Sequence, residues 1–294
     1  MQPFAYAEPR TLTEAVSLLA DLKGEPCDIL AGGTDLLVMM QQHKIRPKTI
    51  INIRKVAGLD HVDVQPGAGA RIGALATIRS LEQSRALAAK YPMLAQAVRF
   101  FGSISIRNMA TIGGNLARGN PTADLPPVLI CLDARVHVAG PRGARTIPVE
   151  EFFVRTGVTL LEKDEILTEV EIPEPTAGAR GAYVKQCMRA VDLATVGVGV
   201  MVSPEKPGPV CREIRIAYAG AAPVPLRATD AENALRGALL TKENLLAAAA
   251  LGAAQARPRG DSWRADPDYR RQLLRALTVR MISQAMEQPA DRGE

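Results

Sequence analysis

The chain is poor in the residues that most often carry catalysis or metal. Its four cysteines, Cys27, Cys131, Cys187 and Cys211, lie far apart with no CxxC pair, so no spacing suits zinc or an iron–sulfur cluster. They read as reduced, mostly buried thiols. The three histidines, His43, His61 and His137, are as scattered, and neither a Ser-His-Asp set, nor a reactive-cysteine motif, nor a credibly spaced glutamate pair accompanies them. Aromatic residues make up 4%, too few for a base-stacking platform. The net charge of +5 comes from 36 basic and 31 acidic residues interleaved along the chain, which argues against a nucleic-acid partner. Long apolar runs are missing too. "LLAAAALGAA" falls well short of the ~18 apolar residues of a membrane span, and the opening "MQPFAYAEPR" has neither the basic nor the apolar region of a secretion signal. The expected setting is the cytoplasm, with no membrane span.

What is present is length and regular patterning. A chain of 294 residues buries a core large enough to fold without disulfides or a structural metal, and it holds two ordinary domains. "TLTEAVSLLADLKG" opens with Thr11 and Glu14 as a capping box and ends at Gly24, which predicts a helix burying Leu12, Ala15, Leu19 and Leu22. A strand at 28–30, a glycine pair and a helix capped by Thr34 or Asp35 follow. "KTIINI" and "RIGALATIRSLEQS" continue the alternation of strand and helix. After the helices "SLEQSRALAAK" and "PMLAQAVRFF" comes a second glycine pair, then a helix with Asp124 as cap and Pro126 in its first turn, and strands at 135–138 and in "EILTEVEI". "PEPTAGARG" (173–181) interrupts all periodicity and is the expected linker. Beyond it, "TVGVGVMV" and "REIRIAYAG" alternate as strands, and three helices are expected over 229–235, 241–256 and 267–288.

The two glycine breaks, "ILAGGTDLL" and "ATIGGNLAR", have the same plan of strand or extended chain, bare turn and helix. Backbone without side chains approaches a pyrophosphate closely, and free N–H groups at a helix start bind anions. Neither break is a P-loop, since no lysine follows, and neither matches GxGxxG. As a pair, with Thr34 and Asp35 at one and Thr111 and Asn115 at the other, they are expected to close on one diphosphate from two sides.

"AGGTDLL" together with "SISIRNMATIGGNLARGNPTADLPPVLICLDA" resembles the paired FAD-binding motifs of the flavoprotein (medium) subunit of xanthine dehydrogenase and carbon monoxide dehydrogenase-type molybdenum hydroxylases. "IGALATIRSLE", "EILTEVEIP", "AYVKQCMRAVDLATVGVGV", "YAGAAPVPLRATDAE" and "DSWRADPDYRRQLL" extend the resemblance over essentially the whole chain. It implies an α+β fold: a two-subdomain FAD-binding domain of the p-cresol methylhydroxylase and vanillyl-alcohol oxidase type over 1–174, split near 55–60, then a smaller α+β domain over 180–294 with antiparallel strands and a helical bundle. It also implies FAD as cofactor, held by Ile29, Leu30, Ala31, Gly32, Gly33, Thr34, Asp35 and Leu36 in the first loop and by Thr111, Ile112, Gly113, Gly114 and Asn115 in the second. Phe101 matches an aromatic position near the flavin and Asp124 an acid that contacts FAD, while Leu167 and Lys185 match positions at the ring edge. Read from the residues alone, Asp124 is equally a helix cap, Lys185 a solvated strand residue, and Leu167 and Phe101 core.

The resemblance further implies an oxidoreductase subunit working in a heterotrimer, or a dimer of heterotrimers, with a molybdenum-cofactor large subunit and an iron–sulfur small subunit. FAD would take electrons from the small subunit's clusters and pass them to an acceptor such as NAD, with oxygen and quinone as alternatives. Some relatives carry a cysteine-rich insertion after the second motif; here "GGNLARGNPTADLPP" runs through without cysteine, so no cluster is expected in this chain. Others carry an aromatic residue covering the flavin where this chain has Leu193. The rival readings are a stand-alone flavin reductase similar to the UDP-N-acetylenolpyruvoylglucosamine reductases, and a non-redox nucleotide-binding scaffold.

Overall fold

The structure is a computed structural model and describes residues 2–205 and 209–288. Residues 2–55 form a small unit: β1 (Ala5–Ala7), α1 (Leu12–Asp21), β2 (Cys27–Leu30), α2 (Leu36–Gln41) and β3 (Thr49–Asn52). Its three strands are parallel, in the order β1-β3-β2. At α1 the Thr11 hydroxyl caps the helix by accepting from Glu14 N at 3.2 Å, and the Glu14 carboxylate reaches back past the cap to accept from Arg10 N at 2.8 Å. Ala15 and Leu19 are fully inside; Leu12 and Leu22 pack at the edge of the same cluster.

The next unit begins with β4 (Val62–Gln65) and β5 (Gly69–Gly73) and continues through α3 (Ile78–Gln83), α4 (Arg85–Lys90), α5 (Pro92–Phe100), α6 (Ile104–Met109), α7 (Ile112–Ala117) and α8 (Leu125–Cys131). The chain then returns to strands: β6 (Arg135–Gly140), β7 (Gly143–Pro148), the small ribbon β8 (Phe153–Arg155) and β9 (Val158–Thr159), and β10 (Ile166–Ile172). The alternation seen in the sequence does not give a parallel sheet here. The order is β4-β5-β10-β6-β7 and every pair is antiparallel, because all six helices lie in one excursion between β5 and β6 and the last strand closes the gap between them. The single helix read over "SLEQSRALAAK" is two, since the Ser84 hydroxyl accepts from Leu87 N and restarts the chain as α4.

After a coil at 173–179 come β11 (Arg180–Gln186), β12 (Val196–Pro204), β13 (Cys211–Ala219) and β14 (Leu226–Arg227), four antiparallel strands where the alternation marked two, then α9 (Thr229–Leu235), α10 (Lys242–Gln255) and α11 (Pro267–Glu287). The alternation in "VGVGVMV" has a two-sided cause. Val196, Val198, Val200 and Val202 point into the core shared with α9, α10 and α11, while Gly199 lies on the opposite face, toward α8. A Cβ on Gly199 would stand 3.3 Å from the Pro127 carbonyl of α8, so the missing side chain lets α8 lie close to the sheet. Every residue of α8, "LPPVLIC", is buried, as expected of a helix apolar on all sides.

Candidate functional site

The glycine corners are in contact. A Cβ on Gly32 would stand 2.1 Å from the Met109 carbonyl oxygen and 2.9 Å from Ala110 Cα, the residues that lead into the second motif. Only glycine lets the first loop lie on that backbone. Gly33 has φ +74°, the left-handed region, and turns the chain from β2 into α2. An ion pair between Asp35 and Arg118 ties the first corner to the end of the second.

The two corners differ in what they leave free. At the first, the N–H groups of residues 32–35 donate to no atom of the described residues, although only Asp35 among them is exposed. A half-buried run of unpaired amides is costly unless a ligand or water accepts from it. At the second, the amides are used within the protein. Ile112 N donates to Ala76 O, Gly113 N to Ala74 O at 2.9 Å, Gly114 N to Thr111 Oγ1 at 3.0 Å and Asn115 N to Thr111 O at 3.0 Å. The expectation of free amides at both breaks is therefore corrected for the second, where α7 starts against the extension of β5 and is capped by its own threonine. That corner offers side chains instead. The Thr111 hydroxyl accepts from Gly114 and keeps its own proton to donate, Gly114 is exposed, and Asn115 Oδ1 is buried without a partner among the described residues.

Both helices that begin at the corners have six residues, too short for a large summed dipole, so the donors are individual amides and hydroxyls. Asp35 and Asp124 stand at helix starts, but neither side chain makes a capping bond. A diphosphate's oxygens require donors and a close approach of backbone, and a ribose or ribityl hydroxyl requires acceptors. The corner provides both, so its residues fit an FAD.

The remaining residues singled out in the sequence fall around this corner. Ile29 and Leu30 end β2 beside Ile51 and Asn52 of β3, half-buried, and Leu36 begins α2. Ile112 and Gly113 are wholly inside; a Cβ on Gly113 would meet the Ala74 Cβ at 2.6 Å, so this glycine serves the packing of α7 on the chain after β5. Leu167 is 5% exposed in β10, and the neighbouring Thr168 carbonyl accepts from Ala74 N, so it stands behind the second corner in the core. Phe101 is half-buried directly after α5, its carbonyl accepting from buried Arg107, which also bonds Glu82 and the Gly102 carbonyl.

Asp124 and Lys185 are brought together, from the start of α8 and from β11. Lys185 Nζ is 3.0 Å from Asp124 Oδ2, and Tyr183, two residues along the same strand face, donates its hydroxyl to Asp124 Oδ1 at 3.0 Å. Both charged side chains are at most 6% exposed. Burial holds the Asp124 carboxyl above the usual carboxylate range, opposed by the Lys185 charge and by Tyr183. Burial, reinforced by Asp124, pushes the Tyr183 phenol well up. Removing one member of such a pair costs roughly 3–5 kcal/mol, because the other is left buried and charged. Sequence reasoning missed Arg118, Tyr183 and the Met109–Ala110 floor. Tyr183 was detectable as the i, i+2 neighbour of Lys185 on a strand; the others needed the fold.

Comparisons with known proteins show the family. The family described as FAD binding domain in molybdopterin dehydrogenase matches residues 2–175, and the CO dehydrogenase flavoprotein C-terminal domain matches residues 182–285. The chain is 35% identical over 282 residues to the carbon monoxide dehydrogenase medium chain of Hydrogenophaga pseudoflava, covering 96% of each. It is 32% identical over 284 residues to a putative xanthine dehydrogenase FAD-binding subunit of Escherichia coli (strain K12), again covering 96% of each. A solved structure of the Hydrogenophaga carbon monoxide dehydrogenase lacking the Mo-pyranopterin moiety superposes with a TM-score of 0.92 at 36% identity, over 97% of this chain and 99% of that one. The chain therefore belongs to the FAD-binding medium-subunit family of the molybdopterin dehydrogenases and is an FAD-containing oxidoreductase subunit.

Proposed function

We propose that the touching glycine corners hold the FAD diphosphate, and that the protein relays electrons inside a molybdenum hydroxylase complex. Residues 32–35 donate main-chain N–H groups to the phosphates, Thr111 adds its hydroxyl, and Asn115 Oδ1 accepts from a hydroxyl of the cofactor. Ile29, Leu30, Ala31 and Leu36 shape the first wall, while Ile112 and Gly113 fix the second; Gly114 leaves it bare. Phe101, Leu167, Asp124 and Lys185 set the flavin end. The observation that carries this reading is the contact of Gly32 with the Met109–Ala110 backbone, which puts the unpaired amides beside the second motif. FAD, when bound, supplies one- and two-electron chemistry; this chain binds it, orients it and excludes water from one side.

Substrate oxidation belongs to a large partner carrying molybdenum, and a small partner with iron–sulfur clusters delivers electrons to this chain, which passes them to an acceptor such as NAD. The relatives serve complexes named for carbon monoxide and for xanthine at similar identity to this chain, so substrate choice is assigned to the large partner. Domain limits of 1–174 and 180–294 with the linker at 173–181, and a cytoplasmic setting, belong to the same proposal. The match of residues 182–285 to a flavoprotein domain of this family favours it over a stand-alone reductase. Purification of the native protein tests it. Co-purifying subunits containing molybdenum and iron, a flavin absorption spectrum, and bleaching of that spectrum by NADH are expected. A colourless chain that purifies alone would overturn the proposal.

A further inference from the structure

Arg270, in the first turn of α11, is a buried cation without an anion. It is 2% exposed, and among the described residues no carboxylate pairs with it; dipoles hold its charge instead. Nη1 donates to the Thr195 carbonyl at 2.8 Å and to the Gly220 carbonyl at 3.0 Å, Nη2 donates to the Ser262 hydroxyl at 2.7 Å, and Nε reaches the Ala265 carbonyl at 3.4 Å. Burial, together with the positive charges of Arg264 and Arg259, pulls the guanidinium below the ordinary arginine range. A charge so placed is costly, and an apolar side chain would fill the same space without that cost. The position therefore calls for the fork itself, a rigid plane that takes up several carbonyls at once.

What the fork holds is a junction. Thr195 leads into β12 and Gly220 follows β13, and Gly197 pairs with Ala219 between these strands, so the two carbonyls lie together at one end of the sheet. Gly220 has φ +69°, and a Cβ there would stand 2.5 Å from the Thr195 oxygen, so only glycine brings both carbonyls onto one guanidinium. The N–H of the same glycine donates to the Pro121 carbonyl at 2.7 Å. Pro121 lies in the loop that runs from Arg118, past the second glycine corner, to Asp124. This loop belongs to no helix or strand, so bonds from distant elements set where it lies: Gly157 N donates to the Gly119 carbonyl at 2.8 Å, Arg118 pairs with Asp35 of the first corner, and Gly220 holds Pro121.

We infer that Arg270 is a positioning residue for FAD binding: by fixing the Thr195–Gly220 junction it holds Pro121, and with it the loop that joins the second glycine corner to Asp124. The inference rests on the proposed cradle. Arg270 acts through one main-chain hydrogen bond, from Gly220 to Pro121, and the C-terminal unit thereby supports the cradle rather than merely adjoining it.

Amide hydrogen exchange, read by mass spectrometry on peptides spanning 116–124, reports this loop without any activity measurement. The protein is used as purified with the subunits that accompany it, stripped of FAD and reloaded. Arg270→Met removes the fork and strands no carboxylate. It should speed exchange in 116–124 about tenfold in the stripped state and weaken FAD, measured by flavin fluorescence, by about tenfold. Ser262→Ala, which removes one of the fork's bonds, should move both readouts the same way by less; it decides the question if Arg270→Met does not fold, and no change in either readout would then overturn the inference. A residue needed only by its own unit would speed exchange around 189–196 and 260–268 and leave both 116–124 and FAD affinity unchanged. Weaker FAD with unchanged exchange in 116–124 would mean that Arg270 acts by another route, and faster exchange there with unchanged FAD affinity would mean that the loop does not serve the cofactor; any of these three results overturns the inference. If the unsubstituted protein takes up no FAD, the cradle fails and the inference with it, while the exchange comparison still shows whether Arg270 braces the loop.

Discussion

The two glycine corners look alike in sequence and behave differently in the fold. The first is a true loop whose amides at 32–35 are left unpaired, and its glycines answer to a close backbone approach at Gly32 and a positive φ at Gly33. The second lies in the first turn of a short helix, has its amides satisfied, and uses Gly113 to pack against Ala74. Similar dipeptides thus divide the work: one supplies donors, the other supplies a rigid floor with a hydroxyl and an amide group on it. A motif can be shared while the physical need behind each glycine is not.

The largest effect should come from breaking the contact between the corners. Gly32→Val places branched carbon where the Met109 carbonyl already stands, 2.1 Å from the Cβ position, and the loop has to move away. The purified variant should lose its flavin absorption; full retention would refute the contact as the basis of binding. Gly114→Ala separates the roles more finely, because its Cβ would meet only the Thr111 hydroxyl at 2.9 Å and the Ala31 Cβ at 3.9 Å. It should weaken FAD by about tenfold, or ~1.4 kcal/mol, in a fluorescence titration while leaving thermal stability nearly unchanged.

A third test concerns how the units bearing the corners are held together. Asp164, just before β10, bonds Lys23 after α1 at 2.9 Å and Arg142 of the β6–β7 turn at 3.2 Å, and these cations hold its carboxyl down to about 2 against an ordinary 3.8. Because the folded value is depressed, its stabilisation is present above the ordinary value and is lost as pH falls from about 3.8 towards about 2. Asp164→Asn should therefore lower stability at neutral pH and flatten the acid limb in that window in denaturant titrations; an unchanged limb would show that this tie does not operate. The smallest effect is expected of Asp35→Asn, which cuts the partly exposed pair with Arg118. The loss should be under about 1 kcal/mol and should vanish at high salt, as a series of FAD titrations at rising ionic strength would show.

Much of this was legible in the chain. The helix start at Thr11 and Glu14, the valine and glycine alternation in β12 and the paired glycines are local signals, carried by spacing alone. The antiparallel order of the five-stranded sheet was not, since alternation of strand and helix describes sequence neighbours and β10 inserts itself between strands laid down much earlier. Likewise Asp35 and Arg118 are 83 positions apart and carry no mutual signature until the corners meet.

The sequence by itself determined where backbone must be bare, which faces are apolar, and the family to which the chain belongs, because these depend on residue type and periodicity. Only the tertiary structure decided which amides stay unpaired and where the charge of Lys185 goes. Hydrogen bonding is a competition among all groups within reach, and what lies within reach of Gly33 or Lys185 is set by elements distant in the chain.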